Sequence, residues 1–415
     1  MNEMTNSFPM SPSAAPATTL HLGRVMAAVV TFFLMLLPLP AFSQTDEAVD
    51  EDFVITSLLV ASPGDVLYSR VGHCALRMQC PEHDLDYVFS YESENARQKV
   101  LAFLSGRLKM GMFAIPTDDY LSLYREEGRG VQEYRLTLPI DAKRNLWRVL
   151  DNHVAEGFCL PYDYLERGCA HSTLMMLREG LDTIAIDYGP WPEHISALTR
   201  RELTGLRMKE SPWSWCFMNL ICNGSIDASC PRAQKVIMPA DLVEVLSRAS
   251  VQGRPIMATS PTELSPCTKA PHSAPWLTPT LVVLLILLLT VVSNMFRCNV
   301  MHYVLLMLQT ALGLFTCYLV FVSSLCCTEW SWLIIPFNPL PLLFWRWRRH
   351  WALPYAVVLV GWLAAMLLSP HTLTDTPYLF LTAALVIDYL SIWRRNGKTI
   401  PFTKVASPHQ AQTER

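Results

Sequence analysis

Two short stretches hold residue types suited to nucleophilic chemistry. Gly168-Cys169-Ala170-His171-Ser172-Thr173 opens a segment, Cys169–Arg178, whose apolar spacing predicts a helix. A cysteine at a helix N-terminus gains thiolate character from the exposed amides and the helix dipole. Gly72-His73 stands at the start of a partly alternating run, His73–Gln79, that predicts a strand. A thiol and a histidine within hydrogen-bond reach make a nucleophile–base couple for acyl transfer, and the two need not be close in sequence. With 11 histidines and 12 cysteines in the chain, some such pairing is expected by chance. The same residues also fit a buried small cysteine and a satisfied strand histidine.

Positioning His73 and Cys169 requires a sheet and a helix packed on it. Phe53–Val60 predicts a strand, and Ser62-Pro63-Gly64-Asp65 a turn. His73–Gln79 and Tyr87–Tyr91 predict a hairpin; Met110–Ile115 and Val131–Leu138 predict further strands. Helices are expected over Asn95–Leu104, Thr117–Arg125 (capped by Thr117), Leu146–Val154, Thr199–Leu206 and Ala240–Ala249. This is an α+β domain over residues 44–254, large enough to hold a core. A histidine general base needs an orienting group. Ser90, Tyr91 and Asp86 lie on or near the partner strand, and the sequence does not choose among them. Tyr162 and Tyr164 could line the site or pack beneath it. His171 reads equally as a second histidine near the thiol and as a solvent-facing residue. Strand alternation turns Cys74 away from His73, as a buried structural cysteine.

Charge and hydropathy place the domain. The net charge of -3 gives no basic field for nucleic acid. Arg24, the apolar run Val25–Leu37 and Ala41-Phe42-Ser43 make residues 1–43 a signal peptide. Residues 255–275 form a Pro/Ser/Thr-rich linker. A transmembrane domain follows over 276–396, with five spans expected at 276–296, 303–326, 330–345, 351–369 and 378–393. Arg297, then Arg346, Arg348 and Arg349, then Arg394, Arg395 and Lys398 fall at alternate ends of these stretches. That is the positive-inside pattern, with the soluble domain outside and residues 397–415 as a cytoplasmic tail. Pro336, Pro339 and Pro341 make 330–345 a candidate re-entrant segment as well. Asp388 lies within the last stretch, near Arg394 and Arg395, and suits an interfacial ion pair. Export permits disulfides, and Cys216, Cys222 and Cys230 are the cluster where one is expected. No Cys/His spacing fits a zinc site, and no metal or cofactor is expected.

The blocks together resemble a known family. Ser62-Pro63-Gly64-Asp65 followed by Gly72-His73-Cys74-Ala75-Leu76-Arg77 resembles the opening signature of the Lnb-type lipoprotein N-acyltransferases. Tyr162-Asp163-Tyr164 before Cys169 is similar to the second signature. Leu198-Thr199-Arg200, Pro212-Trp213, Gly224-Ser225-Ile226-Asp227 and Pro239-Ala240-Asp241-Leu242 resemble later blocks. Pro336-Phe337-Asn338-Pro339-Leu340 resembles an element of the membrane part. Gly168 departs from the family's usual Asn, and His171 from its common Thr. The resemblance implies a permuted papain-like (NlpC-like) thiol-enzyme fold, the His strand preceding the Cys helix, in the bacterial inner membrane. It implies Cys169 as nucleophile and His73 as base, a phospholipid acyl donor and a diacylated lipoprotein as acceptor. A cysteine peptidase or amidase acting on cell-wall peptides would use the same pair. A membrane-tethered binding module would need neither residue.

Overall fold

In the computed structural model, residues 54–396 are described, apart from 67–68, 95–97, 158, 164, 223, 269–274, 327 and 372. The signal segment, the C-terminal tail and Tyr164 therefore lie outside the described residues. The chain begins with β1 (Ile55–Ala61), β2 (His73–Cys80) and β3 (Leu85–Ser93), then α1 (Val100–Leu104) and β4 (Lys109–Pro116). Next come α2 (Thr117–Glu126), β5 (Val131–Leu136), α3 (Ile140–Glu156), β6 (Leu160–Pro161) and α4 (Cys169–Leu181). Strand β7 (Ile186–Asp187), α5 (Arg200–Arg207), α6 (Pro212–Ile221) and α7 (Pro239–Leu246) follow. The short strands β8 (Ser250–Val251), β9 (Arg254–Pro255) and β10 (Thr262–Ser265) complete the α+β part.

Seven strands form one antiparallel sheet in the order β10-β5-β1-β2-β3-β4-β6. Alternation divides each central strand between two apolar layers. Leu58, Cys74, Leu76, Met78 and Phe89 belong to the main core, with side chains of α3, α4 and α7. Leu59, Ala75 and Val88 pack with Tyr120, Leu121 and Tyr124 of α2 in a second, smaller cluster. Leu58, Leu76 and Met78 are fully buried, each stabilising the fold by roughly 1.5–3 kcal/mol.

Three local expectations change. Thr117 does not cap α2; its hydroxyl donates to Asp86 Oδ1 (2.5 Å) because that carboxylate is already fixed by Arg77. Part of the segment expected to be linker joins the sheet instead, as β10 pairs with β5 and satisfies an edge that would otherwise be open. The disulfide expected among Cys216, Cys222 and Cys230 is not formed. Cys216 donates to Tyr378 Oη (3.5 Å), while Cys222 is buried in a separate cluster with Leu165 and Ile226.

The C-terminal part is helical: α8 (Pro279–Met295), α9 (Val300–Phe321), α10 (Arg348–Leu368) and α11 (Thr376–Asn396). Three of its helices are long and apolar enough to cross a membrane: Val300–Phe321, His350–Leu368 and Thr376–Arg395. Pro279–Met295 is a shorter apolar helix. The third expected span, 330–345, is not a continuous helix. Residues 330–345 hold a 3₁₀ turn at Trp332–Ile334 and a single helical turn at Leu340–Leu343, because three prolines lack the N–H a continuous helix needs. The freed backbone groups are satisfied by side chains. Gln309 Nε2 donates to Pro336 O (2.7 Å), Tyr355 Oη to Ile335 O (3.0 Å) and Asn338 Nδ2 to Ile335 O (2.9 Å). The segment passes so close to α9 that a Cβ on Gly313 would lie 2.5 Å from Asn338 Cα.

This irregular stretch nevertheless runs from one end of the bundle to the other. Trp332 O accepts from Trp362 Nε1 (2.8 Å) near the C-terminal end of α10, and Trp345 stacks on His302 (4.8 Å) at the start of α9. Asp388 pairs with His302 Nδ1 at 2.6 Å, not with Arg394 or Arg395. Arg395 instead donates to Asn299 (2.7 Å) and Asn294 (3.3 Å), and Arg348 sits 3.9 Å over the Trp345 ring.

Candidate active site

β2 starts at His73 because the chain turns sharply just before it. Gly72 has φ +84°, and a Cβ there would lie 2.6 Å from Ala61 O on the neighbouring strand. Glycine meets both demands. The turn leaves His73 at the sheet rim with its side chain 18% exposed. The β2–β3 register pairs Leu76 with Phe89, and its continuation sets Glu92 across from His73. His73 Nε2 lies 2.8 Å from Ser90 Oγ, and Ser90 Oγ donates to Glu92 Oε1, also at 2.8 Å. Since Ser90 spends its proton on the carboxylate, Nε2–H is the donor to Ser90. The relay fixes the ring and favours its protonated form.

Cys169 comes from the layer above. It is the first residue of α4, after an extended Gly168 (φ -65°, ψ 162°) that offers no side-chain cap. The first amide to bond back is that of Ser172, to Gly168 O at 2.9 Å. The amides of Cys169, Ala170 and His171 precede the helical ladder and point their partial positive charge out of the helix start. α4 packs on β2 and β3, bringing Cys169 and Thr173, one turn apart, onto Cys74. Cys74 Sγ lies 3.8 Å from Thr173 Oγ1. Cys74 also hydrogen-bonds the Cys169 sulfur through both its thiol and its amide.

These contacts set the charges. The Cys169 thiol is held well below the ordinary range, first by the Cys74 hydrogen bond, against the cost of burial, and then by the adjoining His73. Burial alone would depress His73. The Cys169 charge and hydrogen bond, helped by Glu92, outweigh it and raise His73 to about 9. Cys74 moves the other way: burial, then the neighbouring Cys169, push its thiol well above its usual value. The resting pair is a thiolate and an imidazolium, with Cys74 as a protonated donor.

Cys74→Ala should therefore move the alkylation midpoint of Cys169 upward, while Cys74→Ser keeps a donor and moves it less. The check is the pH dependence of iodoacetamide labelling at Cys169, read by peptide mass spectrometry. An unchanged midpoint in Cys74→Ala would show that the Cys74 contact does not hold the thiolate.

Of the other residues named from sequence, Tyr91 and Tyr162 also line the cavity that His73 and Cys169 share, while Asp86 and His171 lie outside it. Tyr91 turns to the opposite face from Ser90, its hydroxyl 3.4 Å from His153 Nδ1 and 3.7 Å from Met176 Sδ. Asp86 is occupied by Arg77 (2.5 Å) and Thr117. His171 hydrogen-bonds the Ala233 backbone, and burial lowers its basicity. Sequence patterning does not single out Glu92 or the role of Cys74. For Glu92 the available signal is the Ser90-x-Glu92 spacing, which sets both residues on one face of β3.

His73 and Cys169 open on a cavity of about 490 Å³, within the usual range for small-molecule sites. Phe103, Leu104, Met208, Phe217, Met218 and Met238 make its lining largely apolar. Beside it on α1, Val100 and Leu101 are exposed (51% and 76%). α6 forms another wall and also meets the apolar helices: Phe217 stacks on Phe315 of α9, and Tyr378 Oη of α11 donates to Cys216 O at 2.7 Å. Ser324, just past α9, donates through N–H (3.1 Å) and Oγ (2.9 Å) to Ser105 O, just past α1.

No curated protein and no solved structure matches the chain. The apolar helices indicate a membrane protein, and residues 41–196, which include both His73 and Cys169, match the family described as the Lnb N-terminal periplasmic domain.

Proposed function

We propose that this protein is a lipoprotein N-acyltransferase that moves an acyl chain from phospholipid, through a Cys169 thioester, to the N-terminal amine of a diacylated lipoprotein. The observation that carries the reading is the Cys169–His73 pair opening on an apolar cavity whose walls are continuous with the apolar helices. The order of the pair, a histidine strand before a cysteine helix, fits a permuted papain-like enzyme. A wall peptidase would need a polar groove for a hydrophilic peptide.

The chemistry follows from the groups present. The Cys169 thiolate attacks an ester carbonyl, forming the S–C bond. The Cys169 amide at the start of α4 is the natural donor to the oxyanion. The ester C–O bond breaks, and the lysophospholipid oxygen takes the proton of His73. Neutral His73 then takes a proton from the acceptor amine. The amine nitrogen attacks the thioester, an amide forms, and the Cys169 thiolate leaves.

For orientation, the basic residues Arg297, Arg348 and Arg395 gather at the bundle end marked by His302 and Asp388. Residues 330–345 then cross as irregular chain whose carbonyls at Ile335 and Pro336 are held by Gln309, Asn338 and Tyr355, and the C-terminus is cytoplasmic, consistent with the positive-inside rule.

The first half-reaction needs both the thiolate and the imidazolium. Its rate should be flat through neutral pH and fall as pH rises through about 9, where His73 loses its proton. On the acid side it should persist well below the ordinary thiol range, because Cys169 is depressed. Single-turnover acylation of Cys169 across pH tests this; a rate that keeps rising above a pH of about 9 contradicts the assignment. Function itself is tested with labelled phospholipid, a diacylated lipoprotein and membranes carrying the protein. A gain of one acyl chain at the lipoprotein N-terminus supports the reading, and muropeptide cleavage with no such gain would replace it.

A further inference from the structure

We propose that Arg167 is a donor-positioning residue that selects acyl donors bearing a phosphate, an inference that rests on the acyl-transfer reading above. Apart from the Cys169 thiolate, the side chains lining the cavity that carry or gain charge near neutral pH are His73, Glu92 and Arg167, among the described residues. Two of them belong to the relay, since Glu92 accepts from Ser90 at 2.8 Å and lies 3.6 Å from His73 Nε2. Arg167 is left over. Its backbone is fixed by an N–H bond to Asp163 O (2.9 Å), and Nη1 donates to Pro161 O (3.0 Å). Among the described residues no carboxylate pairs with it. The nearby acids are engaged elsewhere: Glu166 lies 3.4 Å from Arg200 Nη1, and Asp163 Oδ1 accepts from the amides of Leu165 (2.8 Å) and Glu166 (3.1 Å).

An exposed guanidinium tethered at one nitrogen keeps other N–H groups for a ligand. Its planar fork suits the oxygens of a phosphate. The position suits the chemistry of the donor. In a glycerophospholipid only the glycerol unit separates an acyl ester from the phosphate. With an ester carbonyl at Cys169 Sγ and its acyl chain among Phe103, Met218 and Met238, the headgroup is left at the cavity mouth, within the span of a long side chain two residues away. The amides at the start of α4 add to the same positive potential. Diacylglycerol offers the same esters and chains without the phosphate, so it separates the headgroup contact from chain binding.

The test compares full-length wild type, Arg167→Gln and Arg167→Lys in detergent micelles. Donors are phosphatidylglycerol, phosphatidylethanolamine and diacylglycerol with identical chains. The readout is the rate of Cys169 acylation by intact-protein mass spectrometry. Wild type should favour both phospholipids over diacylglycerol. Arg167→Gln should lower that ratio about tenfold, the scale of losing a hydrogen bond to a charged group, and Arg167→Lys should restore part of it. An unchanged ratio in Arg167→Gln overturns the proposal, whatever happens to the absolute rates, and leaves the thioester reading standing. Acylation of Cys169 by none of the three donors overturns the thioester reading and this inference with it.

Discussion

Cys169→Ala is expected to lower acyl transfer by ~10³–10⁴-fold or more, because the remaining groups only bind and polarise the ester. The neighbouring Cys74 thiol does not substitute for it, being buried and held protonated. His73→Ala should cost about 10²–10⁴-fold, the usual worth of a positioned acid–base group. It removes the counter-ion of the thiolate and the proton donor to the leaving lysophospholipid. The two losses should not add, since both residues act in one step. Cys169→Ser should fold and accumulate as wild type does, because the site is half-buried and the hydroxyl keeps the Cys74 contact. Failure of that variant to accumulate would mean that Cys169 is chiefly a packing residue. The measurement is acyl gain on a lipoprotein acceptor by mass spectrometry, normalised to protein present in the membrane.

The second large effect is structural. Arg201 is fully buried on α5 and holds three elements together. Nε and Nη2 donate to Asp227 at 2.9 and 2.8 Å, and Nη1 donates to Asn219 of α6. Arg201→Ala leaves the Asp227 carboxylate, itself only 12% exposed, without its cation. Breaking a buried pair from one side costs about 3–5 kcal/mol. The junction it secures is the one where α6 joins the cavity wall to the apolar helices. Thermal unfolding of the detergent-solubilised protein should show the loss. Arg201→Met combined with Asp227→Leu should recover part of it, because the Asp227 charge is then no longer stranded. A loss below about 1 kcal/mol in Arg201→Ala, the range of exposed pairs, would mean that solvent reaches this pair after all.

The alternation of apolar residues made the strands legible in the sequence. β2, β3, β4 and β5 fall close to the expected stretches, since a one-residue slip would turn each core face outward. The helix at Cys169 was legible for the same reason: its apolar spacing runs straight from the glycine. Cys74 was not. Alternation correctly turned it from the His73 face, but only tertiary packing shows that this face receives the start of α4. Glu92 was hidden because its role depends on β2–β3 register at the sheet rim. In the membrane part, hydropathy marked residues 330–345 as apolar but could not show how prolines would be accommodated. That depends on Gln309, Asn338 and Tyr355, which are distant in sequence and meet only in the bundle. Asp388 likewise found His302 across the bundle rather than the arginines a turn or two away.

The central claim is that Cys169 carries the acyl group. The most direct measurement is the intact mass of the purified full-length protein after incubation with phospholipid and no acceptor. Wild type should gain the mass of one acyl chain on Cys169, released by neutral hydroxylamine as a thioester is and discharged on adding a lipoprotein with a free N-terminal amine. Cys169→Ala should gain nothing. N-acylation that proceeds with no adduct on Cys169, or an adduct that persists in Cys169→Ala, would contradict the account.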